Sequence, residues 1–105
     1  MNEYQALAQR TSGTRLPSGK IENGVLGLCG ESGEVADMWK KYLYQGHEFD
    51  RKEMAEELGD VLWYCAELAA GLGITLEDVA AGNVEKLRKR YPDGFATERS
   101  VNREG

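Results

Sequence analysis

Apolar residues in this chain recur at spacings of three, four and seven, and nowhere alternate with polar ones along a β-branched run. That period belongs to helices, where 3.6 residues per turn brings such positions onto one face. The pattern predicts an all-α chain of about four helices. A short first helix covers Asn2 to Gln9, with Tyr4, Leu7 and Ala8 inward, and TSGTRLPSG (Thr11 to Gly19) reads as a loop closed by Pro17. The second helix runs from about Lys20 to Tyr44 on a seam of Ile21, Val25, Leu28, Val35, Trp39 and Tyr42, and a loop through Gly46 and His47 follows. The third opens with Asp50 and Glu53, a capping-box pair, and passes Met54, Leu58, Val61, Leu62, Cys65 and Leu68 before ending near Gly71 or Gly73. The fourth opens with Thr75 and Asp78 in the same arrangement, continues through Val79, Val84 and Leu87, and is stopped by Pro92. Residues 1–95 form a single domain, and the polar stretch 96–105 is an arm or tail.

Size bears on assembly. A second helix of about 25 residues is roughly 37 Å long, whereas a compact globule of this length has a radius of gyration of about 13 Å. Such a helix must stick out of a monomer or lie across its whole width. Trp63 falls well away from the seam of Leu58, Cys65 and Leu68, which points to a second buried surface. Both features predict a homo-oligomer.

The 105 residues carry a formal net charge of -5, which disfavours a nucleic-acid polymer as partner, since such polymers are gripped mainly through Lys and Arg on phosphate. A small phosphorylated ligand remains compatible, because acidic sites hold phosphate through a bridging cation. No apolar run is long enough to span a membrane, and MNEYQALAQR lacks the apolar stretch of a secretory signal. Cys29 and Cys65 sit in apolar helical patterns without C-x-x-C spacing and read as reduced core residues of a cytoplasmic protein. With His47 the sole histidine, zinc sites built from Cys and His, and di-iron bundles needing two Glu-x-x-His pairs, are poor fits.

Chemistry concentrates in acids. Glu31 and Glu34 lie on the second helix, Glu57 and Asp60 on the third, each pair three residues apart on one side of its helix. Relative to Leu28, Glu31 falls about 60° and Glu34 about 120° to one side, along the border of the seam. On the third helix Glu53, Glu57, Asp60 and Tyr64 form one continuous row. One Glu-x-x-Glu is ordinarily a solvated face. Two such pairs facing each other across an antiparallel helix pair repel and lose solvation, and Mg²⁺ or Mn²⁺ suits them best. Glycines 24, 27, 30 and 33 weaken the same helix, by about 0.8–1.0 kcal/mol each relative to Ala, and serve either close helix approach or ligand space. On the fourth helix Asn83, Lys86 and Arg90 share one face, a row able to grip phosphate oxygens.

Three segments, GLCGESGEVADMWKK (Gly27 to Lys41), EELGDVLWYCAELA (Glu56 to Ala69) and NVEKLRKRYPDGF (Asn83 to Phe95), resemble the MazG-like all-α nucleoside triphosphate pyrophosphohydrolases. The family signature, Glu-x-x-Glu followed by Glu-x-x-Asp, reads here as Glu31, Glu34, Glu57 and Asp60, and the resemblance runs from about Ile21 to Phe95. It implies hydrolysis of a (deoxy)nucleoside triphosphate between the α- and β-phosphates to a monophosphate and pyrophosphate, as in nucleotide-pool housecleaning. It also implies Mg²⁺ on those four carboxylates; metal chemistry then calls for one unligated carboxylate oxygen, which we assign to Glu34, to orient or deprotonate the attacking water. Asn83 and Lys86 would contact phosphates, with Arg90 as a third, and Tyr64 would lie near sugar or base. A homodimer or a homotetramer built as a dimer of dimers is implied too. The alternative is a nucleotide-binding or regulatory helical module without turnover. Base identity stays open, with Trp39, Tyr42, Trp63 and Tyr64 all candidates for stacking.

Overall fold

The computed structural model describes residues 1–94, so the expected arm at 96–105 lies outside the described residues. Four helices follow in order: α1 (Asn2–Gln9), α2 (Pro17–Tyr44), α3 (Arg51–Gly71) and α4 (Leu76–Arg90). Among the described residues the only other regular pairing is an isolated bridge between Pro92 and Gly94.

The helix ends follow from local chemistry. Asp50 caps α3, its carboxylate accepting from the backbone N–H groups of Lys52 (2.9 Å) and Glu53 (3.2 Å). Thr75 caps α4 by accepting from the Asp78 N–H at 3.0 Å. At the end of α3, Gly73 adopts φ 73°, Ile74 N–H reaches the Ala69 carbonyl and Gly73 N–H that of Ala70. These are the two bonds of a Schellman turn, which needs a left-handed residue between them. One boundary differs from expectation. Pro17 opens α2 rather than closing the preceding loop, because at a first helical position its missing N–H deprives no carbonyl of a partner.

α2 and α3 are joined by six residues and pack antiparallel, with Ile21 against Gly71, Gly24 against Leu68 and Gly27 against Tyr64. A Cβ on Gly24 would lie 2.8 Å from the Leu68 backbone, and one on Gly27 would enter the Tyr64 ring. These two glycines therefore serve packing. Gly30 and Gly33 have nothing within 4 Å of an added Cβ.

The contact line departs from the expected seams. On α3 it passes through Met54, Glu57 and Val61, while Leu58 is turned outward and 61% exposed. On α2 it runs through Gly24, Gly27, Leu28, Glu31 and Val35, leaving Val25, Trp39 and Tyr42 exposed. Hydrophobicity alone misplaced the line, because glycines and two acids occupy it. Cys29 is likewise exposed rather than in the core, and Cys65 is half-buried; both are free thiols.

α1 packs on α3 through Ala8, with Tyr4 half-buried and Leu7 outward, contrary to its expected inner position. The second surface that Trp63 called for is supplied within the chain: its indole N–H bonds to the Ala8 carbonyl (3.1 Å) and to Thr11 Oγ1 (2.8 Å). Gln5, also buried, donates to the Ile74 carbonyl at 3.2 Å and accepts from the Leu76 N–H at 2.9 Å, clasping the α3–α4 turn.

Four residues after Trp63, Glu67 is fully buried. Its carboxylate accepts from Gln9 (3.0 Å), Ser12 (2.8 and 3.0 Å), Thr14 (2.9 Å) and Asn23 (2.9 Å), and Lys20 lies 3.5 Å away. Burial alone would raise its pKa, but the hydrogen bonds from Asn23, Gln9, Ser12 and Thr14 outweigh it and draw the carboxyl down to about 2.

The fully buried apolar core is small among the described residues: Ala8, Ala66, Ala69 and Leu76. α4 is buried only at Leu76, and every residue from 77 to 89 is exposed, so this helix leaves the bundle after its first turn. α2 has 28 residues, about 42 Å of helix, and the molecule extends 44 × 43 × 22 Å with a radius of gyration of 16.8 Å. That exceeds the roughly 13 Å of a compact chain of this length.

Candidate functional site

The antiparallel pair brings the acids of α2 and α3 to one level. Glu31, Glu57 and Asp60 each present a carboxylate oxygen within 4.8 Å of the others. Glu31 and Glu57 are half-buried because they lie on the contact line itself, not at its border as expected. One oxygen of each, Oε2, is buried without any hydrogen-bond partner.

Glu34 stands outside this trio and is exposed, but its carboxyl adjoins those of Glu31 and Glu57 and raises the pKa of both. Glu57 is pushed up to about 7, chiefly by donating a hydrogen bond to Glu31, then by burial, then by the Glu34 and Glu31 charges. Glu31 is also raised, first by burial, with Glu34 and Asp60 adding repulsion against the hydrogen bond from Glu57. Without a cation, then, these crowded carboxyls hold a proton more readily than isolated ones do. A set of oxygen donors, with two buried lone oxygens and mutual repulsion, fits a hard divalent ion.

Beside the acids lies a cavity of about 320 Å³ lined by Glu31, Asp60, Trp63 and Tyr64. The two aromatic rings meet edge to face, with centroids 5.0 Å apart at 83°. Tyr64 lines the cavity beside Asp60, and its ring occupies the space that Gly27 leaves on α2. The α4 row is different. Asn83 and Lys86 are exposed and Arg90 half-buried, and none of the three lines this cavity. Trp39 and Tyr42 are not there either; they pack with Phe49 near the α2–α3 loop. Glu67 was missed altogether. Its one signal is a lone acid in the apolar run CAELAAG.

A helical pair with three converging carboxylates, a fourth adjoining them and a flanking aromatic cavity suits one class of protein, and the comparisons agree on it. Residues 20–95 match the model of the MazG nucleotide pyrophosphohydrolase domain. The chain belongs to this family and so to the nucleoside triphosphate pyrophosphohydrolases, hydrolases of all-α fold. It is 38% identical over 82 residues to the Gene 37 protein of Mycobacterium phage L5, covering 74% of this chain and 72% of the relative. It is 36% identical over 76 residues to dCTP pyrophosphatase 1 of Mus musculus, covering 67% of this chain. The matched region spans 45% of the mouse enzyme, less than half its length. No solved structure matches significantly. No helix among the described residues is long and apolar enough to cross a membrane.

Proposed function

We propose that this chain hydrolyses a (deoxy)nucleoside triphosphate between its α- and β-phosphates, releasing the monophosphate and pyrophosphate, with Mg²⁺ as cofactor and Mn²⁺ as a substitute. The observation that carries the reading is the pair of buried, unpartnered oxygens on Glu31 and Glu57, with Asp60 beside them. Such oxygens lose solvation without compensation unless a cation fills the gap. Glu31, Glu34, Glu57 and Asp60 would hold it. Once bound, a divalent ion supplies charge neutralisation at phosphate oxygens and a more acidic water. Glu34, exposed and adjoining the trio, takes the proton of the attacking water as general base.

Tyr64 faces the sugar or base from the cavity wall. Asn83, Lys86 and Arg90 bind phosphate oxygens, which requires α4 to settle over a cavity, of its own chain or of a second copy. The exposed apolar residues Val79, Val84 and Leu87 of α4 support a homodimer or homotetramer in which that helix is covered. The net charge of -5 supports a small phosphorylated substrate over a polymer, and two free cysteines support a cytoplasmic setting. The mouse relative makes dCTP the first triphosphate to try, and removal of unwanted nucleotides is the role such a reaction suits.

The test is pyrophosphate release from a panel of triphosphates with and without Mg²⁺, beside thermal shifts under the same conditions. We expect Mg²⁺-dependent release, abolished in Glu57→Ala and Asp60→Ala variants of unchanged helicity. Release at the wild-type rate in either variant refutes the site. Thermal stabilisation by Mg²⁺ plus nucleotide without any release favours a binding module instead.

A further inference from the structure

Trp63 lines the cavity next to the acids, yet its orientation is fixed from elsewhere. The indole N–H points away from the carboxylates to the end of α1, where Thr11 Oγ1 accepts it at 2.8 Å. The Thr11 hydroxyl in turn donates to the Ala8 carbonyl at 2.8 Å, the same carbonyl that the indole reaches at 3.1 Å. Three groups thus close a small ring of hydrogen bonds around one edge of the tryptophan. The residues that follow, Ser12 and Thr14, are tied to Glu67, one turn further along the same face of α3. Segment 8–14 is therefore stapled to α3 at two successive turns, and the first staple sets where the indole stands.

Resting on the pyrophosphohydrolase reading, we propose that Trp63 contacts the nucleobase and that Thr11 is its positioning residue, so that the loop after α1 tunes base recognition. A nucleotide held by way of a divalent ion at Glu31 and Asp60 would carry its base into the corner formed by Trp63 and Tyr64, whose rings stand edge to face. Aromatic faces take any base by stacking, and the tilt of the ring decides how well each one fits. A hydroxyl that fixes the tilt acts on binding rather than on bond cleavage.

The chain holds two tryptophans, and Trp39 packs on Tyr42 and Phe49 outside the cavity. Trp39→Phe therefore leaves Trp63 as the sole indole. In that background, titration with Mg²⁺ and the α,β-methylene analogues of the four common deoxynucleoside triphosphates should give saturable fluorescence change. Thr11→Val should raise KM about fivefold, the weight of one hydrogen bond, with kcat within about twofold. Thr11→Ser should restore KM, which a loss of packing would not allow. An unchanged KM in Thr11→Val, or a fall in kcat at constant KM, overturns the positioning role. A silent indole overturns the contact. Fluorescence change without pyrophosphate release by the wild-type chain supports the contact while refuting the hydrolase reading, so the two failures are separable.

Discussion

Replacing Glu67 with Gln removes the acceptor on which the N-terminal segment converges. The carboxylate is fully buried and takes hydrogen bonds from Gln9, Ser12, Thr14 and Asn23. Its pKa falls from an ordinary 4.5 to about 2 on folding. At 1.36 kcal/mol per pH unit, that difference corresponds to about 3 kcal/mol of folding free energy at neutral pH. Gln keeps the shape but must turn an NH₂ group toward hydroxyl and amide donors, and it leaves Lys20 without its counter-charge. Because the folded value lies below the unfolded one, the contribution is whole above about pH 5 and is lost as pH falls through about 2. Near pH 3 about half of it remains. Urea unfolding followed by far-UV circular dichroism on wild type and Glu67→Gln reads this directly. The gap should be about 3 kcal/mol near pH 7 and about half that near pH 3. A gap below about 1 kcal/mol at neutral pH, or one that does not narrow in acid, refutes the reasoning.

The glycines of α2 should divide by sign: Gly30→Ala and Gly33→Ala, with open space around them, raise stability by about 1 kcal/mol each, while Gly24→Ala, 2.8 Å from the Leu68 backbone, lowers it. Urea midpoints check both, and effects of one sign at all three positions contradict the packing account. Mg²⁺ binding should weaken as pH falls below about 7, the value to which Glu57 is raised, and should release a proton into the buffer. Calorimetry in buffers of different ionisation enthalpy measures that release, and an affinity independent of pH between about 6 and 8 counts against it. In the metal-free chain the same raised value gives the opposite slope from Glu67: its contribution is full below pH 4.5 and lost as pH rises through about 7.

Local chemistry carried most of the fold into view. Asp50 and Thr75 are where helix caps belong, and the bounds of α1 follow from period and punctuation. The contact line between α2 and α3 was less legible, because a hydrophobic score favours Leu58 and Val25 over Glu57 and Gly24. A close-packed pair prefers what lets the backbones approach, and here two acids share that line with the glycines, so the residues on it are those that hydrophobicity discounts. The convergence of Glu31, Glu57 and Asp60 was legible because the spacing on each helix is local, whereas the place of Glu34 outside that trio was not. Nor was Glu67, since Gln9, Ser12 and Thr14 lie more than 50 residues away and leave no pattern near it. The α4 row had a clear face but no legible destination, because direction is set by the turn before it and not by its own residues.

That direction has an unexpected owner. The Gln5 side chain turns an amide N–H to Ile74 and its carbonyl to Leu76, matching a donor and an acceptor as a stretch of backbone would. Seen this way, α1 works as a bracket: its fourth residue holds the turn from which a helix some seventy positions later departs. The direction of the face that carries Asn83, Lys86 and Arg90 is thus braced at Gln5, at the other end of the chain.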